Sequence, residues 1–123
     1  MTDVTQTYSV EPIVIGADAA VMIQYPSGFQ AAFDLMAGSL SAHFRARVTD
    51  DGILFSASTG DGTITRAVQG DGSVIVTINI AKAYTLAFPS NYVGFDIRRT
   101  IGAAEVIVPG QWQWPTLYPY TRS

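Results

Sequence analysis

Runs of five to ten residues in which apolar and polar side chains alternate, each closed by a glycine-containing turn, recur along nearly the whole sequence. A strand with one buried face repeats every two residues and an amphipathic helix about every 3.6, so this pattern admits little besides antiparallel β-structure. The clearest run is Ser39–Val48. Leu40, Ala42, Phe44, Ala46 and Val48 point one way; Ser39, Ser41, His43, Arg45 and Arg47 point the other. Slipping its register by one residue would bury three basic side chains, which fixes the pairing. Asp50-Asp51-Gly52 then turns the chain into Ile53–Ser58, Gly60-Asp61-Gly62 into Thr63–Val68, and Gly70-Asp71-Gly72 into Ser73–Ile80. In the last of these Val74, Val76, Ile78 and Ile80 share the inward face. Aspartate in such turns hydrogen-bonds its own backbone, and glycine accepts a positive φ. The ten-residue spacing of the two Gly-Asp-Gly turns is that of one strand plus one turn in an antiparallel meander.

The flanking segments follow the same logic. Residues 1–9 are a polar, β-compatible arm or edge strand, and Ile13-Val14-Ile15 is a short apolar strand stopped by Gly16. Ala19, Val21, Ile23 and Tyr25 alternate with Ala20, Met22 and Gln24. Pro26-Ser27-Gly28 is a turn, Phe29, Ala31 and Phe33 share a face of a return strand, and Asp34–Gly38 is a connection. Ala81–Phe88 lacks alternation and predicts one short helical turn before Pro89. Val93, Phe95 and Ile97 open a hairpin whose loop is Thr100–Ala103 and whose return begins at Glu105–Val108. Pro109 removes a ladder donor and Gly110 permits a bulge, so the return strand is expected to kink there and continue through Gln111–Trp114. The whole reads as a single all-β domain over 1–123, a sandwich or barrel.

Composition narrows the function. With 123 residues and a formal charge of −3, the chain holds one lysine, Lys82, among seven basic residues. A phosphate-backbone binder clusters its Lys and Arg, so nucleic acid is excluded as a partner. No apolar run reaches the roughly 18 residues of a membrane span, and Met1-Thr2-Asp3 has no basic leader, which points to a cytoplasmic start and no membrane partner. The absence of cysteine removes disulfides and thiolate chemistry. Only 14% of residues are charged against 48% hydrophobic, a balance that favours assembly with partners.

Candidate chemistry is sparse. His43, the single histidine, lacks a nucleophile and an orienting group in any recognisable motif, and reads as a surface or interface imidazole. Asp50, Asp51, Asp61 and Asp71 could together hold calcium, but each sits in a short Asp-Gly turn without the spacing of a calcium loop. No phosphate-cradling glycine pattern and no G-x-S-x-G occurs. The expectation is therefore no enzyme, no cofactor and no metal. Gln111-Trp112-Gln113-Trp114-Pro115, followed by Tyr118-Pro119-Tyr120, is the most unusual stretch. If the strand continues, Trp112 and Trp114 share a face. Residues 111–123 then form an aromatic, proline-rich tail for an inter-subunit contact, with His43, Arg45 and Arg47 as further interface candidates. A sugar-stacking platform of Trp112, Trp114 and Tyr118 is the alternative, and closure of the core by both tryptophans is the plain one.

The order of Phe33-Asp34-Leu35, Arg45-Ala46-Arg47, the helical Ala81-x-x-Tyr84-Thr85-Leu86-Ala87, Tyr92-Val93-Gly94-Phe95-Asp96-Ile97 and a terminal Thr121-Arg122 resembles the small immunoglobulin-like β-sandwich modules of tailed-phage virions. It is similar to the N-terminal domain of baseplate upper proteins and related tail modules, over roughly Tyr8 to Arg122. The resemblance implies an immunoglobulin-like antiparallel sandwich and a structural role in the virion. It would be an adaptor of the tail, baseplate or fibre attachment, docking on other virion proteins and on copies of itself, or a capsid-decorating subunit. The family's D-L-T-G reads Asp34-Leu35-Met36-Ala37-Gly38 here, so that loop departs from the pattern.

Overall fold

Alternation becomes strands almost wherever the sequence calls for them. The computed structural model describes residues 7–8, 12–28, 35–46, 52–89 and 91–117, with Thr7, Tyr8 and 109–112 as backbone only. Among these residues the strands are β1 (Thr7–Tyr8), β2 (Ile13–Val14), β3 (Ala19–Tyr25), β4 (Ser39–Arg45), β5 (Phe55–Ser58), β6 (Ile64–Val68), β7 (Val74–Ile80), β8 (Asn91–Ile101) and β9 (Ala104–Leu117). A short helix, α1 (Lys82–Thr85), lies between β7 and β8 where the helical turn was expected, and Ser27 and Gly28, expected in a turn, are helical. The expected strand through Phe29, Ala31 and Phe33, and the end of the Ser39–Val48 run, lie outside the described residues.

Two sheets form, in the orders β1-β3-β7-β6 and β2-β9-β8-β4-β5. Lettered along the chain, with β2 and β5 as A′ and C′, these are A-B-E-D and A′-G-F-C-C′. That is the strand order of an immunoglobulin-like sandwich with an added C′ strand. One pair departs from the antiparallel expectation: β2 runs parallel to β9, with Ile13 opposite Thr116 and Val14 opposite Leu117. The N-terminal segment thus divides between the sheets, β1 on β3 and β2 on β9. Pro12, which has no N–H to extend the β1 ladder, stands at the division.

The inward faces are those the alternation marks: Val21, Ile23 and Tyr25, then Leu40, Ala42 and Phe44, then Val74, Val76, Ile78 and Ile80 are all buried. Antibody-type sandwiches pin the two sheets with a disulfide packed on a tryptophan of strand C. This chain has no cysteine, and its ring cluster lies on the inner face of the five-stranded sheet, joined by Phe88 from the connection before β8. Phe44 of β4 stacks on Phe95 of β8 with centroids 4.5 Å apart, meets Phe88 at 5.9 Å and Phe55 at 5.8 Å, and Phe95 reaches Trp114 at 6.2 Å. Each such pair adds about 0.5–1.5 kcal/mol beyond the area it buries.

The turns carry out the chemistry read from their sequence. The Asp61 carboxylate accepts the Thr63 N–H at 2.9 Å and the Thr63 hydroxyl at 2.5 Å, and Asp71 does the same for Ser73 at 2.9 and 2.6 Å. These bonds, the side-chain one foremost, hold both carboxyls below the ordinary value of 3.8. The meander reading holds for only one of the two turns. Residues 69–73 join β6 to β7 within a sheet, whereas 59–63 carry the chain from β5 in one sheet to β6 in the other. In the β8–β9 hairpin, Ile101 pairs with Ala104, so the expected four-residue loop is a two-residue turn with Gly102 at φ +58°. That is the arrangement in which glycine takes the first central position.

The buried hydroxyl of Thr85 joins α1 to the β2–β3 connection. It accepts the Gly16 N–H at 3.0 Å and donates to the Ala17 carbonyl at 2.9 Å. Thr85→Val keeps the shape but strands the part-buried Gly16 N–H, and is expected to cost about 1–3 kcal/mol in urea melts, with Thr85→Ser losing less.

Candidate docking face

Residues that alternate with the core on the five-stranded sheet form its outer face. On β4 these are Ser41, His43 and Arg45; on β8 they are Tyr92, Asp96 and Arg98. On β9 they are Glu105, Ile107, Gln113 and Leu117. Register sets their neighbours. His43 lies opposite Asp96 on one side and Ser56 on the other, Ser41 opposite Arg98, and Arg98 opposite Ile107. The Arg98 guanidinium donates to Glu105 Oε1 at 2.9 Å, a solvent-facing pair that adds little stability. Arg45 and Arg98 both have Nε shielded from solvent.

The bulge decides where β9 points. Asp96 pairs with Gln111 and the next residue, Ile97, with Val108, leaving Pro109 and Gly110 as the insertion expected from the sequence. An insertion of two residues preserves alternation where one would reverse it. Val108 and Trp114 are therefore both inward, each 1% exposed. This corrects the reading of Trp114 as an interface or sugar-stacking residue: it is buried beside Phe95, inside the sandwich. Residues 111–117 are likewise a paired strand, with Thr116 buried, and not a free tail. Trp112 lies in backbone register with Phe95. Its side chain, together with Arg47, Tyr118 and Tyr120, falls outside what the structure describes.

Of the sequence candidates, the sheet brings His43 and Arg45 onto one face with the β8–β9 hairpin. Sequence reasoning missed Tyr92, Ile107 and Leu117, which are 43%, 55% and 42% exposed on that face. Their signal was the polar phase of the same alternation, occupied here by apolar residues. The face also has an open flank. Among the described residues β2 meets β9 only at Thr116 and Leu117, so Ala104–Val108 carries no strand partner on the side away from β8. Among the same residues no three carboxylate or imidazole groups converge as metal ligands, and no helix is long and apolar enough to cross a membrane. Compared with known proteins, the chain matches no family and no curated protein.

Proposed function

We propose that this chain is a non-enzymatic docking module of a tailed-phage particle, and that it associates with a second copy of itself through the outer face of the five-stranded sheet. The observation that carries the reading is the β8–β9 hairpin, where Ile107 stands exposed beside the stretch Ala104–Val108 that has no further strand partner among the described residues, with Tyr92 and Leu117 exposed at the other end of the same face. The face alternates charge, with His43, Arg45 and Arg98 interspersed with Asp96 and Glu105. Mixed signs on one face can meet their complements across a two-fold axis. The virion assignment is supported by the sequence resemblance and by the immunoglobulin-like strand order.

Light scattering over a concentration series tests the association. The mass is expected to rise toward a dimer, and Ile107→Asp to return it to a monomer while stability changes by less than about 0.5 kcal/mol. A wild-type monomer at every concentration would overturn the self-association. The genes beside this one test the particle assignment: portal and tail genes are expected, and a metabolic operon would overturn it.

A further inference from the structure

A cleft of about 440 Å³ is lined by the start of β3, β5, the β5–β6 turn, the end of β7 and α1. Its size is that of a small-ligand site. Phe55 is buried at its floor, and Tyr84, 48% exposed, packs on Phe55 with centroids 4.7 Å apart, so the tyrosine ring stands as a supported wall. Two carboxylates line the same space, and both are oriented by backbone. Asp18 Oδ1 accepts the Lys82 N–H at 2.8 Å, and Asp61 Oδ1 accepts the Thr63 N–H at 2.9 Å. In each the bond falls on Oδ1, and Asp61 Oδ1 also accepts the Thr63 hydroxyl at 2.5 Å. Thr63 and Asn79 add to the polar part of the lining, and among the described residues no lysine or arginine contributes to it.

These features specify the ligand by what they lack. The cleft offers acceptors and negative charge, so an anion is repelled and an uncharged apolar molecule would strand the carboxylates. Two carboxylates fall short of the six to eight oxygens that calcium takes. A planar cation on an apolar stem meets every group: its face against Tyr84, its N–H donors toward Asp18 and Asp61, its stem along Phe55 and Ile80. We infer that this cleft binds a guanidinium group carried on an aliphatic stem, supplied either by a free amine or by an arginine side chain of another protein.

The test is a titration of the ¹⁵N-labelled chain with agmatine, followed at the amides of Thr63 and Lys82, whose N–H groups the two carboxylates hold. Saturable shifts with a Kd of about 1–10 mM are expected. High salt should weaken binding severalfold, as for any solvent-facing ionic contact. Asp18→Asn and Asp61→Asn, which keep an acceptor oxygen for the backbone bond, should each weaken binding at least about fivefold. Tyr84→Leu should weaken it roughly three- to tenfold. Unchanged melting of each variant shows that the fold is intact, and Asp18→Asn alone suffices should a change in the turn disturb it. A capped arginine tripeptide binding tighter than agmatine identifies a protein side chain as the natural ligand, and the reverse order a free amine. The inference is overturned by the absence of saturable shifts up to about 50 mM agmatine, by equal shifts with glucose, or by binding that survives the double Asn variant. It is independent of self-association, which the light-scattering series measures separately.

Discussion

Trp114→Ala is expected to lower the unfolding free energy by about 3–5 kcal/mol, the loss typical of truncating a buried tryptophan. A domain of this size holds only about 5–15 kcal/mol in all, so the variant should express poorly or melt near growth temperature. The indole is 1% exposed, opposite Val93 in register and beside Phe95, and its removal leaves a hole beside the ring cluster on the inner face of the five-stranded sheet. In a denaturant series the midpoint should fall with little change in slope, as for a cavity in an otherwise native fold. Trp114→Phe, which keeps a ring against Phe95, should lose less. The result also separates two roles for the residue. A surface anchor would leave the melt unchanged and affect assembly alone.

Gly38→Ala should be nearly as damaging, by about 2–5 kcal/mol, though it adds one methyl group. Gly38 has φ +65°, and a Cβ there would lie 2.3 Å from the Thr100 carbonyl oxygen and 2.6 Å from Ile101 Cγ1. The carbonyl cannot retreat, because Thr100 is held on both sides, opposite Ser39 on β4 and Glu105 on β9. Nor can the loop swing away. Arg66 on β6 donates from Nη1 to the Leu35 carbonyl at 2.8 Å and from Nη2 to the Gly38 carbonyl at 2.6 Å, tying the connection to the opposite sheet. Gly62→Ala is the control. Gly62 has φ +83° but open space around its Cα, so that variant should lose only the backbone term of about 1–2 kcal/mol. Chemical denaturation of both variants reads the difference directly.

How much of this was legible beforehand depends on the range of the interaction. Alternation is a property of neighbouring residues, so the strands, their inward faces and the Pro109-Gly110 bulge could be read from the chain. The Asx bonds of Asp61 and Asp71, two residues long, were equally local. What could not be read was which strand sits beside which. The same Gly-Asp-Gly turn closes a hairpin at 70–72 and changes sheets at 60–62, because the choice is made by what the next strand packs on. The parallel β2–β9 pair and the Arg66 tie to residues 35–38 are invisible for the same reason. So is the cap that Asp18 lends to α1 from 64 residues away. At the candidate site the failure was different. Trp114 was drawn toward the surface by its company of prolines and tyrosines, although its even spacing from Val108 already placed it inward. Tyr92 and Ile107 were overlooked because apolar residues in the polar phase of a strand look like noise when read one strand at a time.

The insertion in β9 has a consequence for how large any assembly can grow. Beyond Val108 the open flank meets Pro109, which has no N–H to offer, and a step in the ladder. A strand laid against Ala104–Val108 must end at that step. The bulge thus acts as a ruler: it fixes the register of an added strand and denies it the long, flat edge on which sheets accrete into fibrils.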